Sequence, residues 1–186
     1  MAITTWSHTE RLSAQARAEL RASHAGETGA VWIYRGILVV NFFKCDPQID
    51  QLAREHLATE TQHLAGFERH IATFRGSYLL LPWMLAGFLT GALPTLFGRD
   101  AMYFTIYSVE SFVHRHYTQQ IDLLSASSDA RNTPIINFFA QCNSEEKAHR
   151  DQALVAMNRR PGVFLRLWGL MVGWGSQCAV KVARVV

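Results

Sequence analysis

Glu60-Thr61-Gln62-His63 and Glu146-Lys147-Ala148-His149 share one Glu-x-x-His spacing, and a lone glutamate precedes each of them, Glu27 the first and Glu110 the second. Residues three apart project from one face of a helix, so each motif presents a carboxylate and an imidazole together. A helix bundle holding two iron ions draws one Glu from each of two helices and a Glu-x-x-His from each of the other two. The order here therefore predicts two helical hairpins, each bringing half of the ligand set: Glu27, Glu60 and His63 from one, Glu110, Glu146 and His149 from the other.

Spacing tests that reading. If Glu27 and Glu60/His63 lie at one depth on antiparallel neighbours, their turn falls midway, near Lys44-Cys45-Asp46-Pro47. Asp46 suits an N-cap and Pro47 the first helical position. The same construction for Glu110 and Glu146/His149 places a turn at Ser125-Ala126-Ser127-Ser128-Asp129, with Pro134 just inside the next helix.

The flanking residues carry helical periodicity. Ser7 and Glu10 form a capping-box spacing, which predicts a helix start at Ser7. The inner stripe then runs Leu20, His24, Glu27, Val31, Tyr34, Leu38. The second helix, expected from Pro47 to about Phe74, shows Ile49, Leu52, His56, Glu60, His63, Phe67, Ile71. The next pair shows Tyr103, Ile106, Glu110, Val113, Tyr117, Leu124, and then Ile135, Phe139, Cys142, Glu146, His149, Ala153, Ala156. No segment alternates as a half-buried strand would. The expected class is all-α, one domain of 1–186, with hairpins at 7–44 with 47–75 and 99–126 with 132–158.

Four carboxylates on apolar stripes would repel one another and resist desolvation. Two ferrous ions supply four positive charges against them, and the two imidazoles ligate as neutral groups. An oxygen-rich set without thiolate favours iron over zinc and is also compatible with manganese.

Apolar residues make up 49% of the chain and charged residues only 18%, which predicts apolar surface facing something other than water. The net charge of +3 is small and the basic residues are scattered, which argues against nucleic acid as a partner. Cys45, Cys142 and Cys178 form no C-x-x-C pair, so neither a disulfide framework nor a zinc ribbon is expected. The first 25 residues lack the apolar core of a secretory signal.

Ser77 to Gly98 contains no charge. Its length suggests a membrane span, but one crossing would separate the two halves of the ligand set, and Pro82, Pro94 and three glycines interrupt it. It is expected to be a crossover between the hairpins (77–98), either lying on a membrane or buried within the bundle. The tail, 162–186, carries a charge-free run from Leu167 to Val180 with Trp168 and Trp174, flanked by Arg166, Lys181 and Arg184. That suits a helix lying in the membrane interface.

The chain resembles the demethoxyubiquinone hydroxylase family, the di-iron monooxygenases of ubiquinone biosynthesis. The likeness is carried by His24-Ala25-Gly26-Glu27 with Gly29-Ala30, by Glu60-x-x-His63, and by Leu80-Leu81-Pro82-Trp83 with Ala86-Gly87-Phe88. It continues through Val109-Glu110 with His116-Tyr117 and Gln120, and through Glu145-Glu146-x-x-His149-x-Asp151. The resemblance implies a ferritin-like four-helix bundle with two iron ions, hydroxylating a demethoxyubiquinol ring with molecular oxygen. It implies a peripheral enzyme on the cytoplasmic face of the inner membrane, or an equivalent organelle-interior face, with an external electron donor and a lipid-binding partner of the same pathway. It also implies that His116 and Tyr117 help move protons and electrons between substrate and iron; read from the pattern alone, Tyr117 is a core residue and His116 a surface neighbour. Ser23, Ser111 and Arg150 depart from the family, which usually has Asp, Glu and His there.

Two other readings compete. A ferritin-like or rubrerythrin-like iron oxidase or peroxidase would share the ligand set, though the cysteine pairs of rubrerythrin are missing. A lipid-binding scaffold could keep the fold without the metal. No Gly-rich dinucleotide fingerprint is present, so electrons would come from a partner reductase, a reduced cofactor acting directly, or the quinol.

Overall fold

A computed structural model describes residues 12–71, 76–127 and 129–185. Among these the elements are α1 (Ala14–Lys44), α2 (Pro47–Ile71), α3 (Leu80–Leu96), α4 (Arg99–Ala126), α5 (Thr133–Ala156) and α6 (Val163–Ala183), with one 3-10 turn at Ala130–Asn132. The class is all-α, compatible with a ferritin-like bundle.

Ser7 and Glu10 lie outside the described residues, and α1 opens later than their spacing suggested. Residues 12 and 13 are not helical, and the Ser13 hydroxyl accepts the Ala16 amide at 3.0 Å. Such a cap stabilises a helix by about 1 kcal/mol. Ser13 has Ala16 rather than Glu or Gln three residues on, so it carries no capping-box signature. The helix end expected near Phe74 also lies outside the described residues; the described part of α2 runs to Ile71.

The first hairpin turn is tightly built. Cys45 adopts a left-handed conformation (φ 53°) and its amide donates to the Asn41 carbonyl at 2.7 Å. The Asn41 side chain exchanges hydrogen bonds with the Asp46 backbone at 3.0 and 3.1 Å. The Asp46 carboxylate accepts the amides of Gln48 and Ile49, capping α2, and pairs with Arg99 at the start of α4. In the second turn, buried Asn132 donates to Ser127 Oγ at 2.8 Å.

Helix α1 packs on α2 and α3, α4 packs on α5, and α6 lies across α4 and α1. Two apolar clusters occupy the interior. One gathers Tyr34, Ile37, Ile49, Leu52, Met102 and Ile106; the other gathers Leu20, Phe67, Tyr117, Leu124, Ile135 and Phe139. The glutamate and histidine layer lies between them. Leu38, Val113 and Ala156, on the expected inner stripes, are only partly buried because they flank the cluster rather than fill it.

Helix α3 is not a buried crossover. A Cβ on Gly87 would overlap the Gly29 carbonyl, and one on Gly91 the Ile33 carbonyl, so α3 lies backbone against backbone on α1. The outer side of α3 exposes Leu81, Leu85, Leu89, Leu93 and Leu96. Helix α6 exposes Phe164, Leu167, Leu170, Met171 and Trp174 in the same way. No helix among the described residues is long and apolar enough to cross a membrane.

Candidate metal centre

Each of the four bundle helices delivers its share of the cluster by its register. Glu27 comes from α1, Glu60 and His63 from α2, Glu110 from α4, Glu146 and His149 from α5, and all six are buried. Their ligand atoms form two overlapping sets. Atoms of Glu27, Glu60, His63 and Glu146 lie within 4.8 Å of one another, and so do atoms of Glu60, Glu110, Glu146 and His149. Glu60 and Glu146 belong to both sets. Two cations could be held here, with Glu60 and Glu146 available to both and a further carboxylate and imidazole available to each.

The separations fit that reading. His63 Nδ1 lies 3.1 Å from Glu146 Oε1 and 3.5 Å from Glu27 Oε2. His149 Nδ1 lies 3.2 Å from Glu60 Oε1 and 3.6 Å from Glu146 Oε2. Two ligand atoms about 2.1 Å from a divalent ion and at right angles stand about 3 Å apart. Glu27 Oε2, both oxygens of Glu60, Glu146 Oε2, His63 Nδ1 and His149 Nδ1 are buried without a hydrogen bond. Buried polar atoms are rarely left so; here they converge on the positions two cations would take.

Without cations the cluster holds protons instead. Burial pushes Glu27 up to about 8, aided by Glu60 and Glu146 and opposed by His63. Burial and the neighbouring Glu146 and Glu60 carry Glu110 well above the usual carboxylate range. Burial would depress His149, but Glu146 and Glu60 carry it up to about 9. Burial would likewise raise Glu60, but His149 and His63 hold it low.

Neighbouring side chains fix the ligands. His63 Nε2 lies 2.5 Å from Glu145 Oε2, which orients the ring so that Nδ1 faces the cluster. Tyr117 Oη donates to Glu27 Oε1, and Tyr34 Oη donates to Glu110 Oε1 at 2.8 Å. His56 stacks on His149, with ring centroids 3.9 Å apart and planes at 16°. Periodicity marks Tyr34 and His56 simply as core positions, because a polar atom at the tip of a stripe residue leaves no mark on the apolar pattern. Their one local signal is that each occupies a stripe next to a ligand.

His116 is not the surface neighbour that its place in the pattern allowed. It is buried, its ring stacks on Phe112 with centroids 5.7 Å apart, and its Nε2 has no hydrogen-bond partner. Burial, then Arg184, holds it down at about 4. It lines a cavity of about 290 Å³ between α1, α3, α4 and α6. The walls are mostly apolar, with Gly26, Trp83, Phe112, Trp168 and Met171 among them, and Glu27, Glu110 and Glu146 also line it. Trp83 Nε1 is a second buried polar atom without a partner. Of the unusual residues, Ser23 donates to Gln120 at 3.1 Å, Ser111 Oγ has no partner, and Arg150 pairs with Asp151 at 2.6 Å.

Known proteins resemble this chain over most of its length. The family model of ubiquinone biosynthesis protein COQ7 matches residues 14–183. The 3-demethoxyubiquinol 3-hydroxylase of Rhodospirillum rubrum is 33% identical over 169 residues, 90% of this chain and 76% of that protein. The mitochondrial NADPH-dependent 3-demethoxyubiquinone 3-hydroxylases of Mus musculus and Homo sapiens are each 30% identical over 138 residues, 73% of this chain. The chain spans 62% of the length of those two mammalian relatives. With the family model covering almost all of the described bundle, the chain belongs to the ubiquinone biosynthesis protein COQ7 family.

Proposed function

We propose that the protein hydroxylates the ring of a demethoxyubiquinol with molecular oxygen at a two-iron centre formed by Glu27, Glu60, His63, Glu110, Glu146 and His149. The observation that carries this is the juxtaposition of two cation positions sharing Glu60 and Glu146 with an apolar cavity that Glu27, Glu110 and Glu146 also line. The irons supply the redox chemistry that lets dioxygen, two electrons and two protons convert a ring C–H to C–OH with release of water. The protein's own residues bind, orient and exclude water. Gly26 and Gly29 leave room for a flat ring beside Glu27, and Phe112 and Trp168 wall it in. Trp83 Nε1 and His116 Nε2 are unpartnered polar atoms available to the two oxygens of a quinol. Tyr117, hydrogen-bonded to Glu27, stands where a proton can pass between cavity and ligand. The two electrons come from an external donor.

The exposed apolar faces of α3 and α6 support a peripheral position on a membrane, from which a prenylated ring would enter the cavity; the face proposed is the cytoplasmic one or its organelle-interior equivalent. The test supplies iron-loaded protein with oxygen, a reductant and a short-tailed demethoxyquinol. A product heavier by one oxygen, labelled from oxygen gas, is expected. Label from water, or iron oxidised and stored without product, would transfer the assignment to an iron oxidase.

A further inference from the structure

The ligand pattern repeats more than its ligands. Tyr34 follows Glu27 by seven residues and Tyr117 follows Glu110 by seven. Each tyrosine crosses the bundle to the other lone glutamate: Tyr34 Oη to Glu110 Oε1 at 2.8 Å, and Tyr117 Oη to Glu27 Oε1. Four residues before each Glu-x-x-His the two halves differ. His56 precedes Glu60, and Cys142 occupies the equivalent place before Glu146. Both are fully buried, and each touches the histidine of the opposite motif, His56 stacking on His149 and Cys142 lying against His63.

The difference changes what lies behind each tyrosine. Behind Tyr34, His56 Nδ1 stands 3.0 Å from the hydroxyl, and His56 Nε2 stands 2.8 Å from the amide oxygen Oε1 of exposed Gln152. Behind Tyr117 are the rings of Phe67 and Phe139, with centroids 6.4 and 5.5 Å away. A phenol has one proton to give. With that proton on the Glu110 carboxylate, His56 must carry its own on Nδ1 and donate to Tyr34 Oη. Nε2 is then an acceptor, which the Gln152 amide satisfies by a half-turn exchanging its oxygen and nitrogen. Every donor in the row then points toward Glu110, and hydrogen bonds aligned in this way strengthen one another.

We propose that Gln152, His56 and Tyr34 are positioning residues that hold Glu110 and His149 through one polar row, and that the His56/Cys142 difference makes the two metal positions chemically unequal. Glu110 is then held through a row that reaches exposed Gln152, whereas the hydroxyl that holds Glu27 has aromatic rings behind it. This rests on the two-iron reading above.

The test loads protein with ⁵⁷Fe, counts iron and records the Mössbauer spectrum of the oxidised form. Wild type should hold two irons and show two quadrupole doublets of equal area. Tyr34→Phe should keep both irons and shift one doublet; Tyr117→Phe should shift the other; His56→Cys should shift the same doublet as Tyr34→Phe. Loss of an outer hydrogen bond to a ligand commonly weakens metal binding about tenfold or more, so one phase of iron removal by a chelator should quicken about tenfold in Tyr34→Phe. Two irons retained with neither doublet moved, or both moved alike, overturns the proposal while leaving the two-iron centre standing. Wild type that folds yet takes up no iron overturns that centre and the proposal together. Should Tyr34→Phe fail to fold, exposed Gln152→Ala decides: a smaller shift of a single doublet upholds the row, and no shift refutes it.

Discussion

The buried carboxylates of the cluster should make the metal-free protein less stable, and Glu27→Gln measures by how much. In the fold Glu27 is pushed up to about 8, from 4.5 in an exposed glutamate. At pH 7 the unfolded chain carries it ionised and the metal-free fold carries it protonated. The sign follows: a carboxyl with a raised folded value destabilises above 4.5, increasingly until about 8. Each pH unit is worth about 1.36 kcal/mol, so the cost between 4.5 and 7 is about 3 kcal/mol. Glutamine imitates the protonated acid, keeps an oxygen for Tyr117, and has no proton to take up. For a chain of this size 1 kcal/mol moves Tm by about 2–4 °C, so metal-free Glu27→Gln should melt about 6–12 °C above metal-free wild type at pH 7. The gain should shrink toward zero near pH 5. Thermal melts at pH 5, 7 and 8 with chelator, beside iron counts on loaded protein, check it. The variant should also lose iron from the Glu27/His63 position. Equal melting of variant and wild type at pH 7, or a gain independent of pH, would refute the reasoning.

Glu60→Ala should strip both irons because Glu60 serves both positions, whereas Glu110→Ala should spare the Glu27/His63 position; iron counts with helicity from circular dichroism separate the two. Gly91→Ala should destabilise the protein by about 1–3 kcal/mol in a denaturant titration, because its Cβ meets the Ile33 carbonyl. Burial holds His116 down at about 4, so the unfolded chain protonates it first. Stability is then lost as pH falls from 6.5 through 4, and His116→Gln should lose less over that window in the same titration. Protein bound to vesicles should be released by detergent and little by high salt, since apolar burial rather than charge holds it; release by salt alone would count against a docked α3 and α6.

The convergence of Glu27, Glu60, His63, Glu110, Glu146 and His149 was legible because the residues of one layer must sit at one depth, which makes their spacing and the turn position a single constraint. Lys44-Cys45-Asp46-Pro47 met it with a cap and a proline. The helix start at Ser13 was not legible, since its cap works through one hydroxyl without the glutamate that completes the recognisable box. Tyr34 and His56 were hidden for another reason: at a buried stripe position a hydrogen-bonding tip and an inert ring give the same periodicity. Gly87 and Gly91 read as interruptions of an apolar run, and in the fold they are contacts. Whether a glycine breaks a helix or lets another backbone approach depends on what lies opposite, and Gly29 and Ile33 are more than fifty residues away in the chain.

That contact also explains why a segment resembling a membrane span belongs to a bundle. Because α3 touches α1 through Gly87 and Gly91, it sits closer to α1 than side chains at those positions would allow. Trp83, Ala86 and Gly87 consequently form cavity wall beside Gly26, Glu27 and Gly29. The other face of the same helix carries Leu81, Leu85, Leu89 and Leu93 outward. Helix α6 repeats the arrangement, with Trp168, Met171 and Val172 lining the cavity and Leu167, Leu170 and Trp174 exposed. A helix with its side chains is about 10–12 Å across, so a single layer separates an apolar surface from the carboxylates. The charge-poor composition follows from building the cavity wall and an exposed apolar face from the same two helices.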